Sequence, residues 1–212
     1  MGHLSGGVSP LLSQARARTS GRWTLPGNVT DVSKQRTPQL IGLAGGPGAG
    51  KDTAAGLLVT HYGFQQHSFA DPLRDFVYAT DPGWALAFDT HGYEYAKWNV
   101  EGFRQRLVDV GEAARHYISP SVWLNACLNR CVPVLADGKS VVISDVRYPN
   151  EADAIRFEGG IVVAVDRPGH PPESPEAWDV LFNADEYLFN DGSVGDLWGQ
   201  LDLLMEERLS DG

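Results

Sequence analysis

The sequence predicts an α/β fold with a five-stranded, mostly parallel sheet flanked by helices, and three observations predict it. Short apolar runs alternate with amphipathic helical stretches along the chain, the pattern of strands joined by crossover helices. The first run passes through a glycine-rich turn directly into a helix. The chain has 212 residues, enough for one substantial core, and contains no internal repeat.

Taken in order, Gln39–Ala44 reads as a buried strand and Lys51–His61 as the helix after the turn. Phe64–Phe69 is a second strand, leading into a helix over Asp71–Ala79. The stretch with Pro82, Gly83 and Gly92 is expected to be less regular and mobile. From Val100 to Tyr117 the recurrence of Phe103, Leu107, Val110, Ala114 and Tyr117 predicts a helix with one buried stripe. Pro120 opens another helix, with Trp123, Leu124, Cys127, Leu128 and Cys131 toward the core. Val141–Ile143 is a third strand, Pro149–Glu158 a helix stopped by Gly159-Gly160, and Ile161–Val165 a fourth strand. Asp166–Asp179 carries four prolines and one glycine and reads as a loop. Tyr187–Phe189 is a last strand, and Val194, Leu197, Trp198, Leu201, Leu204 and Met205 mark a closing amphipathic helix.

Residues 1–37 read as a disordered extension and 38–212 as the folded domain, because the first stretch is rich in Ser, Gly, Arg and Thr and has no periodicity. Arg16, Arg18, Arg22, Lys34 and Arg36 face only Asp31 there. That basic tail is the sole feature that suggests a contact with a polymer. The formal charge of −10 argues against a surface that grips polymeric nucleic acid. No apolar run reaches the roughly 20 residues of a membrane span. The start lacks a secretory core, so the expectation is a cytoplasmic protein, in a virus the host cytoplasm. Cys127 and Cys131, four apart on a helix, read as reduced core residues. A homodimer is left open.

Gly45-Gly46-Pro47-Gly48-Ala49-Gly50-Lys51 fits G-x-x-x-x-G-K between a strand and a helix, the context that makes this pattern specific for nucleotide phosphates. Glycines let backbone N–H groups wrap the phosphates, and Lys51 reaches the β- and γ-phosphates of ATP. Asp52 stands where Ser or Thr usually offers a hydroxyl to Mg²⁺, and Thr53 follows it. Asp52 can hold Mg²⁺ through water or cap the helix, and Thr53 can contact a phosphate. Val141-Val142-Ile143-Ser144-Asp145 is an apolar strand ending in a carboxylate, the form of a second Mg²⁺ element acting through water, with Arg147 two residues beyond.

Four pieces together resemble the deoxynucleoside monophosphate kinases of bacterial viruses: Gly50-Lys51-Asp52-Thr53, Phe69-Ala70-Asp71-Pro72-Leu73-Arg74, Ser144-Asp145-Val146-Arg147-Tyr148-Pro149-Asn150-Glu151 and Phe189-Asn190-Asp191-Gly192. The loop is also similar to that of adenylate kinases. Around Gly111-Glu112-Ala113-Ala114-Arg115 the chain departs from the family, which carries Gly-Thr-Glu before its Arg. The resemblance implies a P-loop kinase with helices that bind a nucleoside monophosphate (NMP) and a lid loop, and places Asp71 and Arg74 beside the acceptor. It implies too that Arg167, before the proline-rich loop, is a lid arginine reaching the transferring phosphoryl group. His170 nearby is assigned no role.

Arg104, Gly111 and Arg115, seven and four apart, share a helical stripe. The expectation is an acceptor nucleotide lying there, its phosphate gripped by Arg104 or Arg115 in bidentate fashion, with Gly111 admitting another group to the backbone. The reaction expected is ATP·Mg²⁺ plus a deoxynucleoside monophosphate giving ADP and the diphosphate. Lys51, Mg²⁺, Arg147 and Arg167 would neutralise charge. Two alternatives stand: a P-loop kinase acting on a hydroxyl, on a small metabolite or a hydroxymethylated base in DNA, with Asp71 as base; and an ATP-gated binding module that transfers nothing.

Overall fold

The computed structural model describes residues 40–210, so the expected disordered extension lies outside the described residues. Strand β1 (Leu40–Ala44) is followed by α1 (Lys51–Tyr62), β2 (Gln65–His67), α2 (Asp71–Thr80), α3 (Pro82–His91), α4 (Tyr93–Asn99), α5 (Phe103–Tyr117) and α6 (Val122–Ala136). Then come β3 (Val141–Val146), α7 (Pro149–Phe157), β4 (Ile161–Asp166), α8 (Pro175–Phe182), β5 (Glu186–Phe189) and α9 (Val194–Ser210). The sheet runs β2-β3-β1-β4-β5, with every described pairing parallel.

The two-residue period of the strands divides the core. Ile41, Leu43, Val142, Val163 and Val165 face Ala54, Ala55 and Leu58 of α1 and Leu197, Leu201, Leu204 and Met205 of α9. Leu40, Ala44, Val141, Ile143 and Val162 face the other way, onto Leu124, Cys127 and Cys131 of α6, Ala152 and Ile155 of α7 and Val180 of α8. Both cysteines are buried and free. Helix α7 lies close on β1: a Cβ on Gly42 would come within 2.4 Å of Ile155 Cδ1. A satellite cluster of Leu73, Val77 and Trp123, joined by Trp84, Leu107, Val110 and Ala114, ties α2, α5 and α6 together.

At the edge strand the side chain of Gln200 pairs with one residue of β5, accepting from Phe189 N–H at 2.8 Å and donating to Phe189 C=O at 2.8 Å.

Three expectations are corrected. The stretch after Pro82 forms two helices, α3 and α4, started by Asp81 accepting from Gly83 N–H and held by rings of Trp84, Phe88, Tyr93 and Phe103 in mutual contact. The loop expected over Asp166–Asp179 ends early, because Ser174 caps α8 through Ala177 N–H and Pro175 occupies the first turn, where its missing donor costs nothing. Tyr117, assigned to the buried stripe of α5, is 82% exposed, and Gly111 is buried instead.

Candidate active site

The phosphate-binding loop connects β1 to α1 at the carboxyl edge of the sheet. Gly48 and Gly50 have positive φ of 72° and 104°, conformations that need glycine. Ala49 N–H donates to Gly46 C=O at 3.2 Å, which makes residues 46–49 a tight turn. Lys51 folds back over it, its Nζ donating to Gly45 C=O at 2.9 Å and Gly46 C=O at 2.7 Å. Burial and, next, the Arg147 guanidinium hold the Lys51 ammonium below its ordinary value, against the opposing carboxylates of Asp52, Asp145 and Glu173.

An open cleft of about 290 Å³ borders this loop. Gly48, Gly50, Lys51, Asp52, Thr53 and Arg167 line it together with Asn190 and Gly192. Asn190 donates to Ala49 C=O at 2.8 Å, so the turn after β5 is fastened to the loop.

The segment between β4 and α8 lies against the loop from outside. Arg167 donates to Gly48 C=O at 3.1 Å, and His170 Nδ1 is 2.9 Å from Pro47 C=O. Further along, Glu173 stands 3.8 Å from Arg104 of α5, both half-exposed.

Strand β3 carries a bulge: Gly42 pairs with Ile143 but Ala44 with Val146, one extra residue on β3. The bulge holds Ser144 and Asp145 and re-aims them. The Asp145 carboxylate accepts from Ser68 Oγ at 2.7 Å, Phe69 N–H at 2.7 Å and Ala70 N–H at 3.1 Å. The residue expected to hold Mg²⁺ through water is thus committed to the turn that starts α2, because three donors converge on it. Asp52 and Thr53, on the cleft wall beside Lys51, fit a hydrated Mg²⁺ better, since that ion keeps most of its waters and needs few protein oxygens. No group of three or more metal-ligating His, Cys, Asp or Glu side chains gathers among the described residues.

Beyond Asp145, Glu151 is only 3% exposed and accepts from Arg147 N–H at 2.8 Å and Tyr148 N–H at 3.1 Å. Burial pushes its carboxyl up to about 7, with Asp145 adding to the rise, while the two N–H groups and Arg115 oppose it. Arg115 stands 3.8 Å from Glu151 and lies over the Tyr148 ring at 4.4 Å. At the start of α2, Asp71 accepts from Ser68 N–H at 2.8 Å and from Arg74 at 2.8 Å, and the Arg74 guanidinium lies 4.2 Å from the Tyr93 ring centre. The buried Nε of Arg74 has no partner.

The residues read from sequence therefore separate into groups. Gly45 to Thr53, with Arg167, form one wall. Asp71, Arg74, Asp145, Arg147 and Arg115 are joined through the turns at 68–70 and 147–151. Arg104 and Arg115 do not share one gap, because Arg104 turns to Glu173 and Arg115 to Glu151. Gly111 is not a door for substrate: its carbonyl accepts from Trp123 Nε1–H at 3.0 Å, and a Cβ there would come within 3.1 Å of Leu73. The group that approaches its backbone is the protein's own. Glu151, Tyr148 and Asn190 lie inside the motifs that carry the resemblance, but their contacts, with Arg115 for the first two and Ala49 for the third, are with residues distant in sequence and leave no local signal.

Over 193 residues the chain is 32% identical to a protein of Acanthamoeba polyphaga mimivirus named "Putative deoxynucleotide monophosphate kinase", an alignment that covers 76% of this chain and 93% of the relative. The chain belongs to the deoxynucleotide monophosphate kinase family. A second relative, the "Uncharacterized protein ORF77" of Ictalurid herpesvirus 1, is 25% identical over 78% of this chain and 70% of its own length. No family model matches the chain. Among solved structures, a dephospho-CoA kinase from Campylobacter jejuni superposes with a TM-score of 0.51 at 11% identity, covering 81% of this chain and 97% of that one. At that identity the likeness speaks to fold, and the fold is that of the P-loop kinases. In this deoxynucleotide monophosphate kinase family member the kinase class thus rests on sequence kinship. Both relatives come from eukaryotic viruses, so a bacterial virus as source has no support from them. No described helix is long and apolar enough to cross a membrane.

Proposed function

We propose that the protein transfers the γ-phosphoryl group of ATP to a deoxynucleoside monophosphate, giving a deoxynucleoside diphosphate for viral DNA synthesis. The observation that carries this reading is the set of arginines joined through the turns at 68–70 and 147–151, of which Arg147 stands near Lys51. Arg74 and Arg115 each lie beside an acidic side chain and an aromatic ring, and Arg147 is close enough to Lys51 to depress its affinity for a proton. Guanidinium groups held in place in this way suit an anionic acceptor.

In this reading ATP lies along the cleft with its phosphates on the loop, and Lys51 leaves the Gly45 and Gly46 carbonyls to bind them. Asp52, with Thr53, would hold hydrated Mg²⁺, which supplies charge neutralisation between the phosphates. The acceptor oxygen is already an anion and needs no base. Arg147 and Arg167 stabilise the charge that spreads over the transferring group. The hydroxyl-kinase alternative is weaker because both oxygens of Asp71, its base, are engaged by Ser68 N–H and Arg74. The charge of −10 favours a mononucleotide acceptor over a polymer.

The test is incubation with ATP, Mg²⁺ and each common or modified deoxynucleoside monophosphate separately, following ADP and the matching diphosphate. Acceptor-dependent diphosphate is expected. Lys51→Ala should remain folded and lose at least about 100-fold in turnover, the scale of removing one preorganised charge from a transition state. ADP without a phosphorylated mononucleotide, or near-normal turnover in the variant, would overturn the reading.

A further inference from the structure

Arg167-Pro168-Gly169-His170 is a closed β-turn. His170 N–H donates to Arg167 C=O at 3.0 Å, Pro168 sits at the position that a fixed φ favours, and Gly169 has a φ of 80°. Such a turn is stiff before any ligand arrives. Its two end residues point at consecutive carbonyls of the phosphate loop, Arg167 at Gly48 and His170 at Pro47. The carbonyl of Pro47 can only accept, so His170 Nδ1 carries the proton in this contact.

The fit is close on both sides. A Cβ on Gly46 would lie 2.0 Å from His170 C=O and 2.5 Å from Pro171 C=O, and one on Gly48 would lie 2.8 Å from His170 Nδ1. Gly46 has no positive φ among those of the loop, so its lack of a side chain answers to the turn and not to backbone geometry. A peptide unit is planar, so fixing the Pro47 carbonyl also fixes the direction of the Gly48 N–H at its other end. Gly48 lines the cleft.

We propose that His170 is a positioning residue for the phosphate donor: through its Nδ1–H it clamps the Pro47–Gly48 peptide and so presets the loop that binds the ATP phosphates. The clamp acts through the loop and touches no reacting atom. This rests on the reading of the loop as the ATP site. Donor binding then loses affinity when the clamp is removed, because ATP must itself order the peptide, while the acceptor subsite, built from α2, α5 and the turn after β3, is untouched.

The experiment compares the full-length wild type with His170→Ala, His170→Asn and His170→Gln, measuring Kd for ATP·Mg²⁺ by calorimetry and, in steady state, KM for ATP, KM for the acceptor and kcat. Asn places a side-chain N–H near the position of Nδ1, whereas Gln places one nearer Nε2. Expected are a roughly tenfold rise in Kd and KM for ATP in His170→Ala, a tenfold change being about 1.4 kcal/mol. Acceptor KM should stay within twofold, with recovery in His170→Asn and none in His170→Gln. Unchanged ATP affinity in His170→Ala overturns the clamp while leaving the ATP site standing. Tighter ATP binding in that variant overturns it too, by making the contact a restraint that ATP must break. Parallel loss of donor and acceptor affinity marks a general structural role and also overturns it. If the wild type binds no ATP, the loop reading falls and the clamp falls with it.

Discussion

Lys51 and Glu151 are the two ionisable side chains whose surroundings say most about the site. Lys51 gives two donors to the carbonyls of its own loop, contacts that the proposed phosphate binding would have to replace. Glu151 lies in the opposite situation, a carboxyl in the core whose burial outweighs two N–H donors and Arg115, with Asp145 the other charge facing it. A carboxyl raised to about 7 keeps a proton that the unfolded chain releases near 4.5. Its contribution to stability is therefore fully present below about 4.5 and is lost as pH rises through about 7. Glu151→Gln retains an oxygen for the two N–H groups and cannot ionise. Urea unfolding should find the variant gaining on the wild type by up to roughly 3 kcal/mol between pH 5 and pH 8. Equal destabilisation at both pH values would instead mean an ionised carboxylate whose pairing with Arg115 outweighs burial. The sequence disclosed Lys51 through local spacing alone. It disclosed neither the state of Glu151 nor the duty of Gly111, because both are set by residues far away in the chain: Arg115 for one, Leu73 and Trp123 for the other.

At the level of elements, the bulge in β3 matters most, since it turns Asp145 toward the start of α2 and joins the third strand to the turn that carries Asp71 and Arg74. Replacing Asp145 by Ala strands three donors, and the expected cost is about 2–4 kcal/mol in urea midpoint analysis with a chelator present. A carboxylate used only for metal would show no loss under those conditions. The strands and long helices were legible because their periods of 2 and 3.6 survive in the sequence. Helices α3 and α4 were not, as Pro82, Gly83 and Gly92 punctuate them and their stability comes from aromatic contacts between elements. Helix α8 was hidden by the prolines before it, although its signal, Ser174 followed by Pro175, is a local one that marks a helix start as well as a turn.

For the whole molecule, the cleft beside the phosphate loop draws on residues far apart in the chain, from the loop after β1 to the turn after β5, so a nucleotide bound there as proposed would cross-link distant parts of the fold. ATP·Mg²⁺ at about 100 times its Kd should stabilise the fold by about 2.7 kcal/mol and raise Tm by roughly 5–10 °C. Lys51→Ala should show a smaller rise in the same thermal scan, and an unmoved wild-type Tm would contradict nucleotide binding at the loop. The sheet has a further property that binding does not touch. A row of parallel strands ends in a strand with spare donors and acceptors, which is a template on which another chain can grow. Here the amide of Gln200 occupies the donor and the acceptor of Phe189, serving as a sixth strand one residue long. The outer face of that strand stacks Tyr187 on Phe189, both open to solvent. An aromatic edge of this kind invites fibrous assembly, and a single glutamine side chain removes the first rung of the ladder.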